Sequence, residues 1–261
     1  MKPAPSQPAG SIRLFDLNVR PVTLKQAVDL LAAWITERHS RGGVVVTPNV
    51  DHIVRMEKAA PEFRESYASA EFIFADGMPV VWASRLLGRP LPERVTGADL
   101  FVALCQEAIS RNWRVSVIGG IPGTEKTLED RFRDYYPGID VQVHCPSMTF
   151  DPLGPEGQAA ADMQRARAPH LLFVCLGMPK QEVWSLHYGP TLPGSLILCV
   201  GAAMEFGIGL QRRAPRFVQK AGMEWAWRLL SNPKRFWRRY LVDDPRFARM
   251  CWREWRQNAR P

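Results

Sequence analysis

No two of the five cysteines in this 261-residue sequence stand as C-x-x-C, and Cys105, Cys145, Cys175, Cys199 and Cys251 are odd in number and widely spaced. A disulfide framework is therefore not expected, nor is a structural zinc site. No apolar run approaches the roughly 20 residues that span a bilayer; the longest lie within His170–Gly177 and Leu196–Met204. The N-terminal stretch is rich in proline and polar residues and lacks the apolar segment of a secretory signal. These absences point to a cytoplasmic chain with a disordered leader over residues 1–10.

Several catalytic signatures are missing as well. The sequence holds no G-x-G-x-x-G, no G-x-x-x-x-G-K-[ST], no G-x-S-x-G and no H-E-x-x-H. It also has no D-x-D pair of the kind that holds a nucleotide-bound divalent metal, and no metal site is expected. His52, His144, His170 and His187 are scattered and are not read as ligands.

Apolar residues make up 46% of the chain and aromatics 10%, enough for one substantial hydrophobic core. The formal charge of +8 is unevenly spread. Leu210–Pro261 carries fourteen Lys/Arg against four Asp/Glu, a net +10, which leaves residues 1–209 at −2. The same tail holds five of the nine tryptophans: Trp225, Trp227, Trp237, Trp252 and Trp255. A basic, aromatic surface suits anionic lipid or nucleic acid.

Residues 11–209 alternate short β-branched runs with longer amphipathic stretches. The pattern predicts strands at Gly43–Thr47, Phe72–Ala75, Arg114–Ile118, Ile139–His144, Leu171–Leu176 and Ser195–Val200. It predicts helices at Thr23–Arg38, Val50–Lys58, Pro61–Ala70, Met78–Leu87, Ala98–Arg111, Gly123–Tyr135, Pro155–Ala168 and Lys180–His187. Such alternation implies an α/β fold: a Rossmann-like, mostly parallel sheet with helices on both faces. Beyond residue 210 the pattern becomes closely spaced helical pieces punctuated by Pro215, Pro233 and Pro245, a small C-terminal helical appendage.

Sheets of this kind bind ligands at the carboxyl ends of their strands. Asp76 follows Phe72–Ala75 there, either as a base for an attacking hydroxyl or as a helix cap. Thr47 and Asn49 could hydrogen-bond a sugar or phosphate, or could cap the next helix. Gly119 and Gly120 open a turn into a helix, a phosphate site or a plain tight turn. Arg94 stands just ahead of a predicted helix start, suited to a diphosphate or to solvent. Lys180, Gln181 and Glu182 form a polar cluster after a very apolar strand, with ligand contact or a solvated first turn as the two readings.

Taken together in order, these segments resemble one family. T-P-N-V-D-H at Thr47–His52, A-D-G-M-P at Ala75–Pro79, E-R-V-T-G-A-D-L at Glu93–Leu100, L-G-M-P-K-Q-E at Leu176–Glu182, G-A-A-M-E-F at Gly201–Phe206 and R-A-P at Arg213–Pro215 resemble the WecG/TagA/CpsF glycosyltransferases. Glu224-Trp225, Arg228-Leu229-Leu230 and Pro233-Lys234-Arg235 continue the resemblance, which spans about Leu14 to Leu241.

The resemblance implies inverting transfer of a hexose or N-acetylhexosamine, of glucose or N-acetylmannosamine type, from a UDP-sugar. The implied acceptor is a polyprenyl-diphosphate-linked saccharide of cell-surface or exopolysaccharide synthesis, and no metal or other cofactor is implied. Asp76 matches the proposed base, Thr47 and Asn49 residues near donor phosphate and sugar, Gln181 a polar pocket residue and Arg94 a diphosphate contact. Arg212, Arg213 and Arg238 are candidates for tail arginines that complete the site. Glu205 stands where the family usually has a ribose-associated Asp, and His170 replaces the usual Asp at a strand start.

The tail is then expected to dock the enzyme on the anionic inner face of the cell membrane. Two rivals are a Rossmann oxidoreductase and a nucleic-acid-binding protein. The missing dinucleotide fingerprint weighs against the first. The acidic balance of residues 1–209 and the lack of a nucleic-acid motif weigh against the second. Donor sugar, acceptor and homo-oligomeric state are not legible.

Overall fold

The structure is a computed structural model, and it describes residues 10–37, 39–215, 217–218, 222–238 and 245–258. The expected leader thus falls almost wholly outside the described residues. At its centre is a six-stranded sheet whose strands are all parallel. It comprises β3 (Gly43–Val46), β4 (Phe72–Ile73), β5 (Arg114–Gly119), β6 (Asp140–His144), β7 (Leu171–Cys175) and β8 (Leu196–Cys199), in the order β4-β3-β8-β7-β5-β6. Period-two alternation divides the strands other than β6 between two cores. Val45, Val115, Val117, Leu171, Phe173, Leu196 and Leu198 face one core. Val44, Val46, Ile118, Leu172, Val174, Ile197 and Cys199 face the other. Where both faces are covered, as along β3, β7 and β8, the strands read as unbroken apolar runs, whereas the edge strand β6 alternates, with Asp140 and Gln142 exposed.

The first core is closed by α1 (Leu24–Thr36), α5 (Gly97–Ser110) and α6 (Glu125–Tyr135); the second by α2 (Val50–Lys58), α3 (Pro61–Ala68), α4 (Met78–Leu86), α7 (Pro155–Arg167) and α8 (Lys180–Tyr188). Local chemistry starts several of these helices. Thr23 and Gln26 form a capping box on α1, Asn49 caps α2 and Thr96 caps α5. A short α9 (Ala203–Gly207) follows β8, and α10 (Glu224–Ser231), α11 (Pro233–Arg238) and α12 (Pro245–Asn258) complete the described chain. Pro233 and Pro245 each open a helix, a position where the missing N–H costs nothing.

The sequence pattern predicts neither the short α9 nor a hairpin at the start of the described chain. An antiparallel hairpin, β1 (Ile12–Leu14) and β2 (Leu17–Val19), turns through Phe15 and Asp16, both with positive φ (50° and 62°). Such turns usually contain Asn or Gly, and neither is present to announce it. The last helix supplies what the turn lacks. Glu254 of α12 accepts from Phe15 N–H at 2.9 Å and pairs with Arg89 at 3.2 Å, and Phe247 packs on Phe15 with ring centroids 5.0 Å apart.

Chain order explains where a ligand can enter. From β3 the chain moves outward to β4, then crosses to β5, and it returns through β7 so that β8 lies beside β3. The reversal opens a crevice above the carboxyl ends of β3, β4, β7 and β8.

Candidate active site

Each wall of that crevice is set by a strand end. Thr47, buried, follows β3, and Asn49 starts α2 by accepting from His52 N–H at 3.2 Å. Hydrogen bonds from Asp76 N–H to Pro48 (3.0 Å) and from Val95 N–H to Ala75 (2.9 Å) hold the β4 end between its neighbours. The chain then turns at Gly77, whose φ of +103° a side chain would disfavour, and this residue rather than Asp76 occupies the cap of α4. Asp76 is therefore not the cap of the helix it precedes. Its carboxylate instead accepts from Gly97 N–H at 3.4 Å, at the positive end of α5.

After β7 the chain runs through Gly177 and the cis Met178–Pro179 bond into α8. Gln181 and Glu182, read from the sequence as ligand-facing or solvated, are both buried. Gln181 Oε1 accepts from Gly177 N–H (3.2 Å) and from Gly201 N–H (2.9 Å), tying the turn after β7 to the turn after β8. Its Nε2 donates to Glu182 Oε1 at 2.8 Å. Burial pushes the Glu182 carboxyl up to about 7 against the hydrogen bond from Gln181.

These ends enclose a cleft of about 530 Å³. Thr47, Asn49, Asp76, Gln181, Glu205 and Arg212 all line it, six candidate residues brought together from five separate stretches of chain. The wall is completed by Gln211, Trp227, Ser231 and Asn232 from beyond residue 210. Asp51, His52 and Arg55 line it too, though the sequence reading gave them no role. Their signal was available: Asp51 and Arg55 sit i,i+4 on the first turns of α2 and pair at 3.0 Å.

Other candidates lie elsewhere. Gly119 and Gly120 are not among the lining residues. A Cβ on Gly119 would meet Cys175 Cβ at 2.7 Å and one on Gly120 would meet Leu128 Cδ1 at 2.6 Å, so close packing accounts for both glycines. Lys180 is half-buried, outside the lining, and its charge acts on Glu156.

Arg94 and Arg213 meet at Glu224 of α10, at 3.1 and 3.5 Å. Arg213 also binds Asp99. Burial raises the Asp99 carboxyl, but Arg213 and the Thr96 hydroxyl outweigh it and hold the group below its ordinary range. The side chain of Arg238 lies outside the described residues.

Beyond the cleft, Trp237, Trp252 and Trp255 are exposed, and Arg256 stacks over Trp252 at 4.7 Å. Among the described residues no helix is long and apolar enough to cross a membrane.

Residues 12–261 match the family described as Glycosyl transferase WecG/TagA/CpsF family. A Bacillus spizizenii protein named N-acetylglucosaminyldiphosphoundecaprenol N-acetyl-beta-D-mannosaminyltransferase is 31% identical over 222 residues, covering 85% of this chain and 83% of its own.

Proposed function

The chain belongs to the WecG/TagA/CpsF family of glycosyltransferases, and from that premise we propose that it moves a hexose or N-acetylhexosamine from a UDP-sugar to a polyprenyl-diphosphate-linked saccharide. The relative's name, which specifies an N-acetylmannosaminyl group and an N-acetylglucosaminyl-diphosphoundecaprenol acceptor, supports that transferred group and acceptor class. The observation that carries the reading is the convergence of strand-end polar groups on one cleft around Asp76.

Asp76 would take the proton of the acceptor hydroxyl as its oxygen attacks the anomeric carbon. The bond from that carbon to the UDP diphosphate breaks on the opposite face, and the product inverts. Thr47 and Asn49 would hold the donor phosphate or sugar, and Glu205 would accept from ribose hydroxyls. Arg212 lines the cleft and Arg94 and Arg213 meet close by at Glu224, so arginine and backbone N–H groups would stabilise the leaving diphosphate without a metal.

An acceptor anchored in lipid requires the enzyme to reach the membrane. The Trp-rich basic tail supports peripheral binding at the inner face, at about 1 kcal/mol for each engaged Lys or Arg.

The test is release of UDP from a panel of UDP-sugars with a short-chain prenyl-diphosphate saccharide and EDTA present. One productive donor establishes donor, class and metal independence together. Absence of UDP binding would overturn the proposal.

A further inference from the structure

Glu182 is completely buried in the first turn of α8, directly behind the cleft wall formed by Gln181. Its two oxygens have unequal surroundings. Oε1 accepts from Gln181 Nε2 at 2.8 Å, whereas Oε2 has no hydrogen-bond partner among the described residues. The groups that act on it come from three elements. They are His52, whose Nδ1 is 3.9 Å from Oε1, and Arg55, paired with Asp51, from α2; Tyr67 from α3; and Cys199 from β8. His52 Nδ1 also lies 3.2 Å from Tyr67 Oη, and Asp76 acts on the same Tyr67. A full negative charge here would leave one oxygen without a donor in a dry pocket, which is costly.

The Gln181 amide has one workable orientation. Its oxygen faces two backbone N–H groups, on Gly177 and Gly201, so a flipped amide would turn its NH2 toward two donors. Glu182 selects the productive orientation by accepting from the other end. We propose that Glu182 is a positioning residue for glycosyl transfer: a neutral acid that fixes Gln181, and through it both strand-end turns, without placing negative charge beneath a cleft that takes an anionic donor. The functional half of this proposal rests on the UDP-sugar reading above; the structural half does not.

Two experiments on the full chain separate the halves. In ligand-free, ¹⁵N-labelled protein, the Gly177 and Gly201 amide resonances are expected to titrate together with one midpoint near 7, following the carboxyl. In Glu182→Gln, which can still accept from Gln181 but cannot ionise, both should be flat. Amides that do not move in the wild type, or that move equally in E182Q, overturn the proposal whatever the enzyme's substrate.

In the transfer assay, the wild-type KM for the donor should rise about 10-fold between pH 6 and 8.5 as charge develops under the diphosphate, while E182Q stays level. Glu182→Leu, which leaves Gln181 Nε2 without its acceptor and so loosens the amide at that end, should lower kcat about 10-fold at pH 6 with its melting transition intact. A wild-type KM independent of pH, or an E182L enzyme with unchanged kcat, counts against the positioning role. A wild type silent with every donor refutes the transfer reading instead, and the amide titration still decides the proposal.

Discussion

A carboxyl group that costs more charged than neutral leaves a mark on stability. The Glu182 carboxyl is raised from 4.5 to about 7 in the folded chain, so the folded state binds the extra proton. Its contribution is complete below about pH 4.5 and is lost as pH rises through 7. E182Q should remove this dependence and exceed the wild type at pH 8 by up to roughly 3 kcal/mol, read from urea unfolding at several pH values. A mutant less stable than wild type at pH 8 would contradict the burial argument.

Asp76 is a different kind of carboxylate, held at the N-terminus of α5 and open to the cleft. Asp76→Asn keeps the side chain's shape and loses the proposed base. UDP affinity should hold while kcat falls about 100- to 10,000-fold, separable by calorimetry and turnover. At the same scale, Glu224→Ala should cost about 1–3 kcal/mol in stability, because it leaves two half-buried guanidinium groups short of an acceptor.

Elements differ in how openly the sequence declares them. The six parallel strands and eight of the helices follow from apolar runs and amphipathic spacing, and α2 has the expected limits of Val50–Lys58. The edge strand β4 is shorter than its apolar run because it ends at Ile73, although Phe74 N–H still reaches Val46 O at 3.1 Å. The hairpin was not legible because its turn depends on a glutamate more than two hundred residues away. At the site, order along the chain revealed the strand-end residues. Which of them face one cleft, and that Glu182 turns inward while Lys180 does not, depends on how α8 rolls against β8, which no local pattern encodes. The dependence of hairpin on helix can be measured. Phe247→Ala should remove the contact with Phe15 and cost about 3–5 kcal/mol in thermal or urea unfolding.

Over the whole molecule, charge and aromatic residues are sorted by position. Trp252 lies half exposed on the outer side of α12 and Trp255 half exposed at its flank, while Phe247, Met250 and Cys251 are buried in the second core. The helix can therefore present its outer side to lipid without leaving the fold. A W252A/W255A double substitution is expected to reduce sedimentation with anionic vesicles while leaving the melting temperature and UDP binding unchanged. Vesicle binding at wild-type strength in that variant would move the contact surface away from α12. The cleft also draws Arg212, Trp227, Ser231 and Asn232 from beyond residue 210, so the part proposed to meet the membrane also walls the proposed reaction chamber.

The clasp between the hairpin and α12 carries a meaning in time. Phe15 and Glu254 are 239 positions apart, and at about 5–20 residues per second a ribosome takes roughly 12–48 seconds to make what lies between them. Throughout that interval the hairpin is without the carboxylate that holds its turn. The first strands synthesised are thus among the last to be secured, and the nascent chain spends most of its synthesis with that corner of its core waiting for a partner not yet made.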